Sequence, residues 1–153
     1  MSGFAQGLIA GIVALLLTIQ FIRPAKTNPP IVRQRTLEAA VAVPPEVEAI
    51  LARSCDDCHS NRTEWPWYSN VAPVSFFVIN HVNEGRRHLN FSEWLPPGVG
   101  DPAAYTFQRL HNVCKSVQSA SMPLKSYTLI HGQAILSQQD IEKLCDWSQN
   151  RLP

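Results

Sequence analysis

The stretch Cys55-Asp56-Asp57-Cys58-His59 decides how the rest of this chain is interpreted. Two cysteines separated by two residues and followed at once by a histidine form the C-x-x-C-H signature of c-type haem attachment. In this pattern Cys55 and Cys58 form thioethers with one porphyrin, and His59 is the proximal iron ligand. A zinc site would need a second pair of ligands at suitable spacing, and a thioredoxin-type pair needs a βαβ setting. The sequence shows neither, so it predicts one covalent haem c.

The sixth iron ligand is the main question that the motif leaves open. Met122, in the loop segment Ser121-Met122-Pro123, is the expected distal ligand. A thioether opposite histidine stabilises ferrous iron and raises the reduction potential. A core-filling role for Met122, an open distal position and ligation by a second histidine are the alternatives. The histidines concerned are His81, His88, His111 and His131.

Aromatic residues are expected to form part of the cofactor pocket. Tryptophan N–H and tyrosine O–H groups could bind haem propionates while their rings pack on the porphyrin, although ordinary core packing explains each ring nearly as well. Arg86 could pair with a propionate or belong to a solvated face. The His59 ring should donate its other N–H to a carbonyl or carboxylate, and the 70–73 loop is a candidate. The aromatic residues are Trp65, Trp67, Tyr68, Trp94 and Tyr127.

Two cysteines remain outside the motif. Cys114 and Cys145 both lie on the apolar faces of predicted helices that should pack together. In an oxidising compartment such a pair can form a disulfide, which for a loop of about 30 residues could add roughly 3 kcal/mol. We therefore expect a disulfide between Cys114 and Cys145, with free buried thiols as the alternative.

The N-terminal segment has the composition of a membrane span. Phe4 to Ile22 carries no charge, and 19 helical residues reach about 28 Å, close to the thickness of a hydrocarbon core. No A-x-A-like cleavage site follows. Residues 1–25 are therefore predicted to be an uncleaved transmembrane signal anchor. A cleaved signal peptide and a buried soluble helix are the alternatives.

Charge around this segment conflicts with the haem motif. Arg23, Lys26, Arg33 and Arg35 all follow the segment, and no basic residue precedes it. The positive-inside rule alone would leave the C-terminal domain in the cytoplasm. Haem c, however, is attached outside the cytoplasmic membrane, and covalent attachment requires that compartment. We expect a single-pass protein of the inner membrane whose haem domain faces the periplasm.

Two further features bear on partners. The net charge of +1 gives no sign of a nucleic-acid partner. Small residues recur every four positions in the N-terminal segment, a spacing that can pair transmembrane helices. A homodimer through Gly3, Gly7 and Gly11 is a weaker expectation.

The rest of the chain is predicted to be helical, with irregular loops. Residues 26–44, which include Pro29-Pro30 and Pro44-Pro45, are predicted to be a linker that holds the domain off the bilayer. Residues 45–153 are predicted to be an all-α haem c-binding domain. Its helices should begin near Pro45, near Ser75, after Asp101 and after Ser137.

Several stretches resemble a bacterial family of small haem-binding domains related to c-type cytochromes, over roughly residues 45–150. The resemblance implies covalent haem c on Cys55 and Cys58, iron ligation by His59, a cytochrome-c-like helical fold and an exported location. The chain departs from the family in lacking basic residues before its anchor, and the 96–100 stretch PPGVG resembles a local insertion. The matching stretches are CDDCHSNRTEWPWYSNVAPVS (55–75), NFSEW (90–94), MPLKSYTLIH (122–131), LSQQDIEKLCDW (136–147) and, at the end of the anchor, IQFIRP (19–24).

These features together predict a membrane-anchored periplasmic monohaem cytochrome c that transfers single electrons. Its partners would be redox proteins that dock near an exposed haem edge, and an electron carrier need not be an enzyme. A peroxidase-like enzyme with an open distal site would require that Met122 does not bind, and His81 could then act as acid–base. A haem-based sensor, or a structural haem module of a membrane complex, is the other alternative.

Overall fold

The structure, a computed structural model, describes residues 3–149 and contains only helices and loops over that range. The predicted all-α class is therefore confirmed. Positions 1–2 of the expected anchor and 150–153 of the expected haem domain lie outside the described residues. The α-helices are α1 (Gly3–Ile19), α2 (Leu37–Ala40), α3 (Pro45–Ser54), α4 (Asp56–His59), α5 (Val74–His88), α6 (Pro102–Gln118), α7 (Lys125–Thr128) and α8 (Gln138–Gln149). Short 3-10 turns cover Arg33–Arg35, Trp67–Asn70, Phe91–Glu93 and Gly132–Ala134.

Helix α1 is apolar along its whole length, and none of its residues is buried. It ends at Ile19, three residues before the end of the uncharged segment, because the backbone continues as turns through Ile22. Within residues 3–149, no helix reaches the combined length and hydropathy that a membrane span requires. Gly3, Gly7 and Gly11 have open space where a side chain would stand, and a homodimer through them stays a prediction.

The predicted starts of the domain helices are confirmed, because each start carries its own local signal. Pro45 occupies the first turn of α3. The Asp101 side chain accepts hydrogen bonds from the backbone N–H groups of Ala103 and Ala104 and so caps α6. Helix α8 begins with a reciprocal cap, in which the Ser137 backbone N–H donates to Asp140 while the Asp140 N–H donates to the Ser137 hydroxyl.

The core forms where α3, α6 and α8 meet. Trp94 is 1% exposed at its centre, and its indole N–H donates to Thr106 Oγ1 at 3.1 Å. Burial of these apolar side chains is the main favourable term for folding. The buried cluster consists of Leu37, Val47, Ile50, Leu51, Phe91, Trp94, Leu110, Cys114, Val117, Leu144, Cys145 and Trp147.

The segment expected to be a linker contributes to this core in its second half. Leu37 is only 2% exposed, and the Arg35 carbonyl accepts a hydrogen bond from the Trp94 backbone N–H at 2.7 Å. The Trp147 indole N–H donates to the Ala42 carbonyl at 3.1 Å. The packed region therefore begins before the expected boundary at residue 45, because Leu37, an apolar residue within the polar stretch, is buried in the core.

The residues around the boundary between the expected anchor and the expected linker also run along the domain. The Gln20 side chain donates to the Ala72 carbonyl at 3.0 Å and accepts from the Ala72 N–H at 2.9 Å. Lys26 donates to the Asn70 side chain, and the Asn28 amide donates to the Thr63 carbonyl at 2.9 Å. Side-chain hydrogen bonds therefore hold residues 20–28 against the domain, in place of the extended spacer that the prolines suggested.

Candidate functional site

The C-x-x-C-H motif forms a single helical turn between two helices. Helix α3 ends at Ser54, and the Cys55 carbonyl then accepts from the backbone N–H groups of Cys58, at 3.1 Å, and His59, at 2.9 Å. Neither cysteine is in a disulfide. The two cysteines line different cavities: Cys55 lines the one that His59 also lines, and Cys58 lines a smaller one.

The His59 ring is fixed by the C-terminal end of α5. Its Nδ1 lies 3.1 Å from the Gly85 carbonyl oxygen and 3.0 Å from that of Leu89. Because both partners can only accept, Nδ1 carries the proton and Nε2 keeps a free lone pair. Burial lowers the pKa of His59, which favours the neutral imidazole that a metal requires. The expected partner loop, residues 70–73, is not used, and α5 supplies the carbonyls instead.

A glycine allows α5 to come this close to the motif. A Cβ placed on Gly85 would overlap the carbonyl oxygen of Cys58 and would lie 3.2 Å from the Cys58 Cβ. Any larger residue would therefore push α5 away from the motif. Sequence reasoning missed this contact, although an isolated glycine inside a helical pattern often has a packing reason.

A cavity of about 440 Å³ brings together the two predicted iron ligands and one of the two motif cysteines. Cys55, His59 and Met122 all line it. Its volume falls within the range of small-molecule and cofactor pockets. The remaining lining residues are His88, Leu89, Phe91, Arg109, Asn112, Val113, Ser116 and Val117.

Met122 reaches this cavity from the turn after α6. The backbone N–H groups of Ser121 and Met122 both donate to the Ser116 carbonyl, at 3.1 and 3.2 Å. These bonds hold the turn against the end of α6, and the Met122 side chain remains 36% exposed. A partly exposed thioether at a cavity lined by a free imidazole nitrogen is poorly explained as a core filler.

The four competing histidines lie in different places. His88 lines the same cavity, but it immediately precedes Leu89, whose carbonyl binds His59 Nδ1. The His88 side chain, at the end of α5, is mostly exposed, and its Nε2 lies 4.0 Å from Glu84. His81 and His131 line a second cavity of about 170 Å³ on the Cys58 side. His111 is exposed and lines neither cavity.

The aromatic residues expected at the pocket are divided between two places. Tyr68 and Tyr127 line the second cavity, where Tyr68 Oη lies 2.6 Å from His131 Nε2 and Tyr127 Oη donates to Asp57 at 2.7 Å. Burial and this bond to Asp57 raise the pKa of Tyr127. The three tryptophans do not line the cavity of His59: Trp67 is 77% exposed, Trp65 is half-buried and Trp94 belongs to the core.

Arg86, for which the sequence left open a propionate contact or a solvated face, makes hydrogen bonds within the protein. Its guanidinium donates to the carbonyls of Ser60 and Thr27 and to the side chains of Asn28 and Thr63, at 2.6 to 2.8 Å. These bonds tie the segment before the domain to the loop after the motif. With four acceptors in place, Arg86 has little capacity left for an anionic ligand.

Arg109 is the cation that lines the cavity, and sequence reasoning missed it. It is half-buried on α6, donates to the His88 carbonyl at 2.6 Å and lies 4.9 Å from the centre of the Tyr105 ring. Its spacing from Val113 and Ser116 places all three on one helix face. The sequence contains this signal, because the apolar Val113 follows Arg109 by four positions, one helical turn.

Both motif thiols have a raised pKa, which disfavours the reactive thiolate form. Burial raises the pKa of Cys55 to about 12, and burial together with the Asp57 charge raises the pKa of Cys58 to about 11. Thiolates are the metal-binding and nucleophilic form of cysteine. No group of three or more His, Cys, Asp or Glu side chains within residues 3–149 is arranged to hold a metal ion.

The remaining pair of cysteines joins two helices. Cys114 of α6 and Cys145 of α8 form a disulfide, with their Cα atoms 4.8 Å apart. The two helices form the most extensive helix pair of the domain. The disulfide therefore reinforces the wall that supplies Arg109, Val113 and the Met122 turn.

Comparison with known proteins gives one match. A family model described as a haem-binding domain matches residues 14–150, which is most of the chain. No curated protein and no solved structure matches this chain.

Proposed function

The chain belongs to the haem-binding domain family, and from this premise we propose that it is a membrane-anchored monohaem c-type cytochrome that transfers single electrons. Cys55 and Cys58 would hold the haem covalently, and His59 would bind its iron. Bound haem iron supplies a one-electron couple between the ferric and ferrous states. The residues of this chain would hold the haem, shield it from water and tune its reduction potential.

One observation carries the proposal: backbone carbonyls hold the His59 ring in the tautomer that an iron ligand requires. Two backbone carbonyls hold its Nδ1–H, so that the free Nε2 belongs to the ring that lines the cavity with Cys55 and Met122. Ligating histidines nearly always donate their other N–H in this way, which fixes the tautomer and raises ligand basicity. A histidine with only a packing role has no need of two carbonyl acceptors at one nitrogen.

The walls of the cavity support the same function. Leu89, Phe91, Val113 and Val117 exclude water from one part, and Arg109 provides the positive charge that a propionate requires. Met122 is the proposed sixth ligand, held by its backbone to α6. Two ligands fixed by backbone hydrogen bonds would move little on electron transfer. Partners would then be redox proteins that approach the open side of the cavity.

The proposed location is the periplasmic face of the inner membrane. The apolar helix α1, with no buried residue, supports anchoring in a bilayer. The disulfide between Cys114 and Cys145 supports an oxidising compartment. Covalent attachment of haem c belongs to the same side of the membrane.

The enzymatic alternative has less support. A peroxidase-like site would need an acid–base group opposite His59, and His81, the expected candidate, lines the second cavity instead. Its Nδ1 bonds to the Phe77 carbonyl within its own helix, at 2.9 Å. A haem-based sensor is favoured by one observation, the partial exposure of Met122, because an exposed ligand is easier to displace.

The optical spectrum of the ferric protein tests these functions. We would express the full chain with the haem c maturation machinery and compare wild type, Met122→Ala and His88→Ala. We expect wild type to show the weak far-red band of a methionine–iron bond. Met122→Ala should lose that band, and His88→Ala, which removes the other histidine of the same cavity, should keep it.

Two results would contradict the electron-transfer function. A high-spin wild-type spectrum would show an open distal site and favour the enzyme. Rapid loss of the far-red band when nitric oxide is added to the ferric protein, or rapid binding of carbon monoxide to the dithionite-reduced protein, would favour the sensor. Cys55→Ala with Cys58→Ala should abolish covalent haem, and its retention would contradict the attachment itself.

A further inference from the structure

The base of α1 and the domain share one exposed apolar surface. Phe21 and Ile22, which follow α1, are 89% and 61% exposed. Trp67 and Val71, at the 3-10 turn before α5, are also exposed. These four residues are called the junction surface below.

Hydrogen bonds bring the two halves of the junction surface together. Gln20 makes two bonds to the Ala72 backbone, next to Val71. Lys26 donates to the Asn70 side chain, whose own amide donates to the Trp67 carbonyl at 3.0 Å. The residues just after α1 are therefore fixed beside the Trp67–Asn70 turn, and no flexible spacer separates α1 from the domain.

This attachment constrains where the domain can lie if α1 is in a bilayer. A helix that enters the membrane brings the residues beside its end to the lipid interface. Tryptophan is enriched at that interface, where its ring meets the headgroups. Arg23 and Lys26 are exposed next to the junction surface, and basic residues there are attracted to anionic lipid.

We propose that the junction surface lies against the lipid bilayer that holds α1, so that the haem domain is docked on the membrane in one orientation instead of swinging on a tether. This inference rests on the membrane anchoring proposed above. The occupant is lipid because the surface is continuous with a wholly exposed apolar helix. The cavity of His59 is lined by other elements, namely α6 and the ends of α3 and α5, and it stays open to partners.

Quenching by brominated lipids tests the contact. The haem-loaded full chain would carry one added cysteine with a polarity-sensitive fluorophore, in vesicles of phosphatidylethanolamine and phosphatidylglycerol with plain or brominated acyl chains. The positions are Leu16→Cys within α1, Val71→Cys on the junction surface and Asp146→Cys on the exposed face of α8 as the matched control. Comparing the two kinds of vesicle cancels any quenching by haem.

We expect severalfold quenching at positions 16 and 71 and none at 146. Quenching at 16 without quenching at 71 would overturn the docked orientation and leave the anchoring standing. No quenching at 16 would overturn both proposals, since α1 would not be in lipid. Quenching at 146 would also overturn the single orientation.

A second variant guards against a local effect of the substitution. Trp67→Cys should behave as Val71→Cys does, because the two positions share the surface. A fluorescence change at 71 that depends on the protein-to-lipid ratio, and not on bromination, would show a second copy of the chain on this surface and would overturn the lipid assignment.

Discussion

Gly85 of α5 lies directly against Cys58, with no room for a side chain between them. The same residue offers its carbonyl to His59 Nδ1 at 3.1 Å. One glycine therefore sets both the distance between α5 and the motif and the orientation of the imidazole. The two effects should fail together when the glycine is replaced.

Gly85→Ala should destabilise the protein and lower its haem content. An added Cβ would overlap the Cys58 carbonyl oxygen, and overpacking of this kind typically costs about 1–3 kcal/mol. The free energy of unfolding in urea and the haem-to-protein ratio would be measured. Gly132→Ala is the control, since a Cβ there meets nothing within 4 Å. Equal haem content in the two variants would contradict the close contact.

Arg109→Gln should lower the reduction potential. A positive charge beside the cavity stabilises the ferrous state, because that state carries one positive charge fewer than the ferric state. Loss of the Arg109 charge should therefore disfavour the ferrous state by about 1 kcal/mol. Redox titration of the haem-loaded protein measures this change. Lys115→Gln, on the same helix but exposed and outside the cavity lining, should leave the potential nearly unchanged. A larger change in the lysine variant would exclude Arg109 as the propionate partner.

Arg86→Lys should destabilise the fold while leaving the iron spectrum unchanged. A lysine ammonium cannot reach four acceptors arranged around a planar guanidinium. Hydrogen bonds to charged groups contribute about 1.5–3 kcal/mol each, and we expect a net loss of about 2 kcal/mol. Chemical unfolding measures it, with Arg87→Lys on the exposed face as control. An altered spectrum with normal stability would assign Arg86 to the haem after all.

Cys114→Ala combined with Cys145→Ala should lower stability by about 3 kcal/mol, the effect expected for a disulfide that closes a loop of roughly 30 residues. The measurement is thermal unfolding of the variant and of wild type with and without reductant. Reduced wild type should resemble the variant. If reductant leaves wild type unchanged, the disulfide does not form in solution.

Asp140→Ala should weaken the start of α8 by about 1 kcal/mol at neutral pH, as loss of a capping group does. The Ser137 hydroxyl and Arg53 hold the pKa of Asp140 below its ordinary value. The stabilisation is therefore complete above the pKa of the unfolded chain and is lost as the pH falls through the folded pKa. The difference in the free energy of unfolding between wild type and variant, measured by urea unfolding, should disappear below about pH 4. Asp146→Ala should show no such gap.

Sequence reasoning succeeded where the signal is local. Pro45, Asp101 and Ser137 each mark a helix start by chemistry that acts within a few residues. The pairing of Cys114 with Cys145 followed from two apolar helix faces, and the structure contains that disulfide. The haem-binding roles of Cys55, Cys58 and His59 come from a motif that fits within one turn, and they stay a prediction.

The supporting residues could not be predicted in the same way. Gly85 and Leu89 are separated from the motif by about thirty residues, and their carbonyls carry no side-chain signal. Arg86 and Arg109 are both basic helix residues, and only packing decides which one lies at the cavity. The tryptophans were expected at the pocket because their rings and N–H groups suit a haem. A 3-10 turn, however, directs Trp67 away from the core.

The cavity is built from two stretches of chain with separate supports. Residues 55–89 contain the thiols, the imidazole and the carbonyls that fix it, whereas the turn that carries Met122 is held to the end of α6 by hydrogen bonds to Lys115, Ser116 and Val117. A change in the short turn at 119–123 would therefore alter the proposed sixth ligand and leave Cys55, Cys58 and His59 as they are. If the chain carries electrons as proposed, a few substitutions in this one turn would be enough to open the distal side of the haem to a gas or a substrate.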